Sequence, residues 1–233
     1  MDERKGDPRT IFFDIGGVLF DFNEKPLHAL IGDLAGVTRE DVDSVLRFDI
    51  QSHEYHKLWE NFEKSWIGLA GFCDGVKDLL DKKGLLKKNF SVDDFREVFI
   101  GGRLFEPLSA PIFLAKALKD RGHTLGIISN INEDHWAFLS GRYPHIFSWF
   151  KIKVLSYEIG FRKPETKIWN FAVEEALLAD ENTVPEGCIF IDDREENIIS
   201  AERYGINAIH FRGYVDPLDE LIFNLRGLGV WVY

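Results

Sequence analysis

The stretch TIFFDIGGVLFDF, residues 10–22, decides how this chain is read. A short run of β-branched and aromatic residues leads into a carboxylate, Asp14, and two glycines follow at Gly16 and Gly17. An apolar run of this length reads as a buried strand. Glycines just beyond it permit positive φ and a close backbone approach. In open parallel sheets, ligands bind at the carboxyl ends of the strands, which is where Asp14 falls.

Similar apolar runs recur at TLGIISN (124–130), GCIFIDD (187–193) and NAIHF (207–211). KIKVLS (151–156) alternates more and reads as a strand nearer an edge. Helical patterns separate these runs. SAPIFLAKALKDRG has Ser109 placed as an N-cap, Pro111 in the first turn and Gly122 as a stop. PETKIWNFAVEEAL sets Ile168, Phe171 and Ala172 on one face, and EENIISAERYG ends at Gly205. Strands alternating with helices predict an α/β fold, a Rossmann-like parallel sheet with helices on both faces. The region 22–106 differs, with helix signals and little sign of strands. Thr38 with Asp41, and Ser91 with Asp94, have the spacing of capping boxes. The expected organisation is a catalytic core of residues 1–21 and 107–233, interrupted by a helical cap insert over 22–106.

The 233 residues are 45% hydrophobic and 29% charged, enough apolar material for a core. Lys plus Arg number 28 against 39 Asp plus Glu, a net charge of -11. That balance argues against general binding of nucleic acid or anionic membrane, and any phosphate site then needs local positive charge. Cys73 and Cys188 lack metal-ligand spacing and suggest no disulfide framework. The opening MDERKGDPRT has no apolar core of a secretory signal, and no apolar run approaches the ~18 residues of a membrane span. The expected location is cytoplasmic.

Three strands thus deliver polar groups to one sheet edge: Asp14, then Ser129 with Asn130, then Asp192 with Asp193. In this order and spacing, FFDIGGVL, IISN, RKPETKIW and FIDDREENIISA resemble the four motifs of the haloacid dehalogenase superfamily. The resemblance runs from about residue 10 to 212 and is nearest to the helical-cap phosphatases, a branch that includes glucose 1-phosphate phosphatases. It implies Asp14 as a nucleophile that forms an aspartyl-phosphate. It implies Ser129 as a phosphoryl contact through its hydroxyl, Asn130 as a further donor through its backbone, and Lys163 as the cation that neutralises nucleophile and phosphate. Pro164 would be a first helical position, bringing a helix N-terminus toward the same anion. Mg²⁺ would be held by Asp14, the carbonyl of Gly16 and Asp193, with Asp192 as a further carboxylate and Asn197 orienting the shell. The implied ligand is a small phosphorylated metabolite, with sugar phosphates among the substrates of that phosphatase branch.

One position departs from the superfamily's usual phosphatase pattern. Most of its phosphatases carry an aspartate two residues after the nucleophile as a general acid–base, and here that residue is Gly16. Such a group is worth ~10²–10⁴ in rate, so its absence leaves turnover possible and the proton donor unnamed. Dehalogenases of the superfamily have tyrosine at that position and lack the acidic fourth motif, whereas FIDDREEN keeps two carboxylates. Phosphonatases need a cap lysine; Lys57 and Lys64 read as solvated. Arg162, beside Lys163, reads the same way. SHEYHKLWENFEKSWIGLAGF holds His53, Tyr55, His56, Trp59 and Trp66, read mainly as helix core with histidines at its rim and otherwise as a lid supplying the proton. His123, His135, His145 and His210 are dispersed and are given no role. A Mg²⁺-dependent phosphomonoesterase is the first reading; a regulatory module that lost turnover, or phosphonate or haloacid hydrolysis, are the alternatives.

Overall fold

A computed structural model describes residues 9–46, 53–101 and 104–232. Of the expectations above, the amino-terminal charged segment and parts of the helical region (47–52, 102–103) lie outside the described residues. The chain begins with β1 (Thr10–Phe13) and β2 (Phe20–Phe22). Among the described residues, five helices follow: α1 (Glu24–Ala35), α2 (Arg39–Asp43), α3 (His53–Glu63), α4 (Leu69–Lys82) and α5 (Val92–Gly101). Then come β3 (Phe105–Pro107), α6 (Ser109–Asp120), β4 (Thr124–Ser129), α7 (Glu133–Arg142), α8 (Pro144–Phe147) and β5 (Ile152–Leu155). The chain continues through α9 (Ser156–Ile159), α10 (Thr166–Ala179), β6 (Cys188–Asp192), α11 (Glu195–Tyr204), β7 (Asn207–His210) and α12 (Leu218–Gly227).

Five strands form one parallel sheet in the order β5-β4-β1-β6-β7. The expected α/β architecture is what the structure has, and KIKVLS does form an edge strand. Side chains of β1 and β6 alternate between faces, as the pleat requires. Ile11, Phe13, Ile189 and Ile191 join the apolar cluster under α6, α7 and α12, whereas Phe12, Cys188 and Phe190 join the one under α10 and α11. Burial on both faces is why these runs are continuously apolar. The chain builds from β1 to one side through β4 and β5, then crosses to β6 and β7 on the other. The reversal puts the open crevice beside the end of β1.

The helical segment has its own apolar cluster, centred on Trp59, Phe62, Phe72, Phe95 and Phe99. β2 and β3 pair antiparallel at its base, two short strands not expected there. Thr38 and Asp41 form a full capping box, and Ser91 and Asp94 exchange the same bonds. Three local readings need correction. Ser109 is the first residue of α6 and Leu108 its N-cap, without a side-chain bond. Phe171 is 36% exposed; Trp169 takes its place on the buried face of α10. Pro164 does not open a helix: α10 starts at Thr166, so its N-terminus is set back by two residues.

Candidate active site

Asp14 leaves β1 with its backbone N–H donating to the Ile191 carbonyl (2.9 Å), so β6 fixes where the side chain starts. Its Oδ1 accepts from the Ile15 N–H (2.7 Å), and its Oδ2 pairs with Lys163 Nζ at 2.9 Å. Lys163 is 1% exposed and reaches Asp192 Oδ2 at 2.6 Å as well. Asp192 Oδ1 accepts from the Arg194 N–H (2.8 Å) and from Asn197 Nδ2 (2.9 Å). The two oxygens of Asp192 are thus occupied by the protein, and Asn197 acts on Asp192 rather than on open space. Asp14, Asp192 and Asp193 each offer an oxygen within 4.8 Å of the others.

Charge in this cluster does not balance. Three carboxylates face one buried ammonium, leaving two negative charges. Burial pushes Asp14 up to about 7, with Asp192 and Asp193 adding to it and Lys163 opposing. Burial, then Asp192, pushes Asp193 up to about 6. Burial works against the charge of Lys163, but Asp14 and Asp192 outweigh it and hold the ammonium above its usual range. Such a cluster accommodates a compensating divalent cation.

The glycines divide. Gly17 has φ +75°, and a Cβ there would overlap the Asp193 carboxylate. Gly16 is not in the positive-φ region, contrary to expectation, and a Cβ there would meet only Phe22 Cβ at 3.7 Å. Gly17 is a geometric requirement of the site, and Gly16 is an open place in it.

Ser129 ends β4, 2% exposed, beside the same cavity. The Asn130 side chain does something the sequence did not suggest. Its Oδ1 accepts from the Lys163 N–H (2.8 Å) and its Nδ2 donates to the Lys163 carbonyl (2.9 Å), clamping the backbone of the lysine. No local pattern marks a partner thirty-three positions away.

The cavity, about 590 Å³, is walled by strand ends on one side and by α3 on the other. It is lined by Asp14, Ser129, Lys163 and Asp193, together with His56 and Trp59 of α3. Glu63 anchors that wall. Its Oε1 accepts from Trp59 Nε1 (2.8 Å), its Oε2 lies 2.9 Å from Arg162 Nε, and its carbonyl accepts from Ser156 Oγ (2.7 Å). Arg162, expected in solvent, is therefore a half-buried cation paired with α3. Lys64 was also read as solvated, but it is 5% exposed, paired with Glu60 (2.7 Å) and with Glu165. Tyr55 and Trp59 are buried core residues, as read, whereas Trp66 is 59% exposed. His135 also joins the two parts: its Nε2 lies 3.3 Å from the Phe99 carbonyl, its Nδ1 3.0 Å from Asn132 Nδ2, and its ring stacks on Phe99. Among the described residues, no helix is long and apolar enough to cross a membrane.

Comparison with known proteins agrees with this architecture. The profile of the haloacid dehalogenase-like hydrolases matches residues 8–205. An uncharacterized hydrolase of Schizosaccharomyces pombe, C7D4.05, is 32% identical over 93 residues, 39% of this chain and 40% of that protein. Among solved structures, the HAD family enzyme BT-2542 of Bacteroides thetaiotaomicron superposes with a TM-score of 0.70 at 21% identity, covering 92% of this chain and 98% of that one. BT-2542 has also been crystallised in complex with magnesium and inorganic phosphate. The L-2-haloacid dehalogenase of Xanthobacter autotrophicus has a TM-score of 0.57 at 14% identity, with 87% of this chain and 77% of that one covered. At these identities the likeness is one of fold.

Proposed function

This chain belongs to the haloacid dehalogenase-like hydrolases, and on that premise we propose that it is a Mg²⁺-dependent phosphomonoesterase acting on a small phosphorylated metabolite. The observation that carries the reading is the unbalanced cluster: Asp14, Asp192 and Asp193 around the single ammonium of Lys163, buried at the cavity floor. The donor set fits Mg²⁺, which favours carboxylate and carbonyl oxygens. Asp14, Asp193 and the Gly16 carbonyl would hold the ion, and Asp192, with its oxygens engaged by Lys163, Arg194 and Asn197, adds charge more than a direct bond. When bound, the cation offsets the charge that develops on the phosphoryl oxygens. The magnesium and phosphate complex of BT-2542 supports the same assignment.

In this mechanism Asp14 attacks phosphorus and forms an aspartyl-phosphate, which water then hydrolyses. Lys163, held by Asn130 at its backbone and by Asp192 at its ammonium, keeps positive charge against the nucleophile and the phosphoryl group. Ser129 contributes its hydroxyl from the end of β4. Residues 22–106 serve as the cap, with α3 closing the cavity and excluding water, and residues 1–21 and 107–233 form the catalytic core. Sugar phosphates, including the glucose 1-phosphate type of the branch it resembles, are the substrate class we assign, in a cytoplasmic setting.

Haloacid cleavage is disfavoured by the two surplus negative charges, which would sit unshielded beside a halide leaving group. Phosphonate cleavage through a lysine imine is disfavoured at Lys64: burial opposes its charge, but Glu165 and Glu60 hold the ammonium above its usual range, the wrong state for a nucleophilic amine. The test is phosphate release from a panel of phosphorylated metabolites with Mg²⁺, with EDTA, and with Asp14→Asn. Turnover lost under the last two conditions is expected. Equal turnover in EDTA, or in Asp14→Asn, refutes the mechanism, and phosphate binding with no release favours a binding module.

A further inference from the structure

The turn that carries Lys163 is gripped at both ends by two consecutive residues of the helical segment. The Glu165 N–H donates to the Arg162 carbonyl (2.8 Å), which closes the turn 162–165 with Lys163 inside it. Arg162 Nε lies 2.9 Å from Glu63 Oε2, close as an ion pair though not aligned as a hydrogen bond. At the other end of the turn, Glu165 pairs with Lys64. An acid and a base that are chain neighbours thus meet a base and an acid across the gap. Glu60 adds to the hold on Lys64 (2.7 Å), and Trp59 Nε1 donates to the second carboxylate oxygen of Glu63 (2.8 Å). Glu63 and Lys64 are both buried, so their pairs are screened less than surface ones.

The ending of α3 puts these two residues in place. Ser65 is left-handed (φ +54°), its N–H donates to the Phe62 carbonyl (3.1 Å), and the Trp66 N–H donates to the Asn61 carbonyl (2.8 Å). This is a Schellman ending with serine where glycine is usual. It uses the carbonyls of Asn61 and Phe62 and leaves that of Glu63 to a partner outside the helix. Ser156, fully buried, is that partner (2.7 Å), and its hydroxyl oxygen accepts from the Ile131 N–H (2.9 Å). Ile131 follows Asn130, whose side chain holds both backbone polar groups of Lys163. A closed loop results: Glu63, Arg162, Lys163, Asn130 with Ile131, Ser156, and back to Glu63. Serine and asparagine are short side chains, which leaves the loop little slack. The ammonium of Lys163, 2.9 Å from Asp14 Oδ2, projects from it.

We propose that Glu63 and Lys64 are positioning residues: from the cap they set the turn 162–165, and through it where the Lys163 ammonium stands against Asp14. This rests on the phosphomonoesterase reading above. A nucleophile and the cation that neutralises it act together only at a fixed separation, and small misplacements are costly in rate. Arg96 of α5 and Asp134 of α7 also join the two parts (2.7 Å), but neither belongs to the loop. Losing that pair removes a contact between cap and core and leaves the loop whole.

The test follows two quantities in wild type, Glu63→Gln, Lys64→Met and Arg96→Gln, with Asp14→Asn as the baseline for turnover. Hydrogen exchange of the Lys163 and Ile131 amides is read against that of the β1 and β4 amides, which report the whole fold. Values of kcat and KM are measured for p-nitrophenyl phosphate with Mg²⁺. In Glu63→Gln and Lys64→Met, exchange at Lys163 should quicken about tenfold while the sheet amides change less than about twofold. In both, kcat should fall about tenfold with KM held within about twofold, because the ammonium acts mainly on charge that develops in the transition state. Arg96→Gln should leave exchange and kcat within about twofold of wild type. Ser156→Ala opens the same loop from the core side and repeats the measurement should the Glu63 variant not fold. Lys163 exchange that is unchanged or moves only in step with the sheet overturns the positioning role. So does an unchanged kcat, or a loss in Arg96→Gln equal to that in Glu63→Gln; Asp14-dependent turnover in wild type stands in each case. Wild type without Asp14-dependent turnover overturns the phosphomonoesterase reading instead, and the exchange rates still decide whether the cap sets Lys163.

Discussion

Replacing Asp14 with asparagine should end turnover and, without metal, make the protein more stable. Asparagine keeps the oxygen that accepts from the Ile15 N–H and removes one of the two surplus negative charges. Folded Asp14 titrates at about 7, against an ordinary 3.8. The folded state therefore binds this proton more tightly than the unfolded chain. Below 3.8 both states are protonated and nothing is lost; as pH rises through the interval the unfolded chain ionises first, and above about 7 the folded state bears the whole cost. That cost is at most about 4 kcal/mol at pH 7.5 and about 2 kcal/mol at pH 5. Lys163 loses one carboxylate partner but keeps Asp192 at 2.6 Å, which offsets part of the gain. A net gain of about 1–3 kcal/mol at pH 7.5 remains, or ~2–4 °C in Tm per kcal/mol for a chain of this size. Thermal unfolding of wild type and Asp14→Asn in EDTA, at both pH values and again in saturating Mg²⁺, measures it. The advantage should shrink at pH 5 and in Mg²⁺, where a proton or the cation supplies the missing charge. An asparagine variant less stable than wild type in EDTA at pH 7.5, or an advantage independent of pH, would refute the account of an uncompensated carboxylate cluster.

Two further outcomes follow from the same geometry. Gly16→Ala should change stability by no more than about 0.5 kcal/mol, whereas Gly17→Ala should cost about 1–3 kcal/mol through its left-handed φ alone and should abolish turnover by displacing Asp193; equal behaviour of the two in denaturant unfolding and activity would show that the turn is not what places the carboxylate. His135 titrates at about 4 when folded, lowered by burial from 6.5, so the unfolded chain takes up its proton first and stability is lost as pH falls between those values. His135→Phe should remove that loss, moving the stability difference between variant and wild type in the variant's favour by roughly 2–3 kcal/mol from pH 7 to pH 4.5; a difference that does not move with pH in urea titrations would rule the burial effect out.

The fold was legible because its signals are local. Each core strand is a short apolar run bounded by a glycine or a polar residue, and burial on both sheet faces leaves no other use for such a run. The capping boxes at Thr38 and Ser91 were readable for the same reason, since a cap is satisfied within four residues. Where local rules competed, reading failed. Pro164 suits a first helical turn, yet the clamp of Asn130 on Lys163 holds that stretch out of the helix. Lys64 and Arg162 resemble any solvent-facing cation until Glu165 and Glu63 arrive from elsewhere in the chain.

By itself the sequence determined that three polar strand ends would share one edge of a parallel sheet, because period, strand length and order are properties of consecutive residues. Only the tertiary structure decided which of those groups are spent on one another. Asp192 is consumed by Lys163, Arg194 and Asn197, Asn130 by the backbone of Lys163, and Glu63 by Trp59 and Arg162. A hydrogen bond or an ion pair depends on distance in space, and folding brings together residues that no spacing along the chain relates.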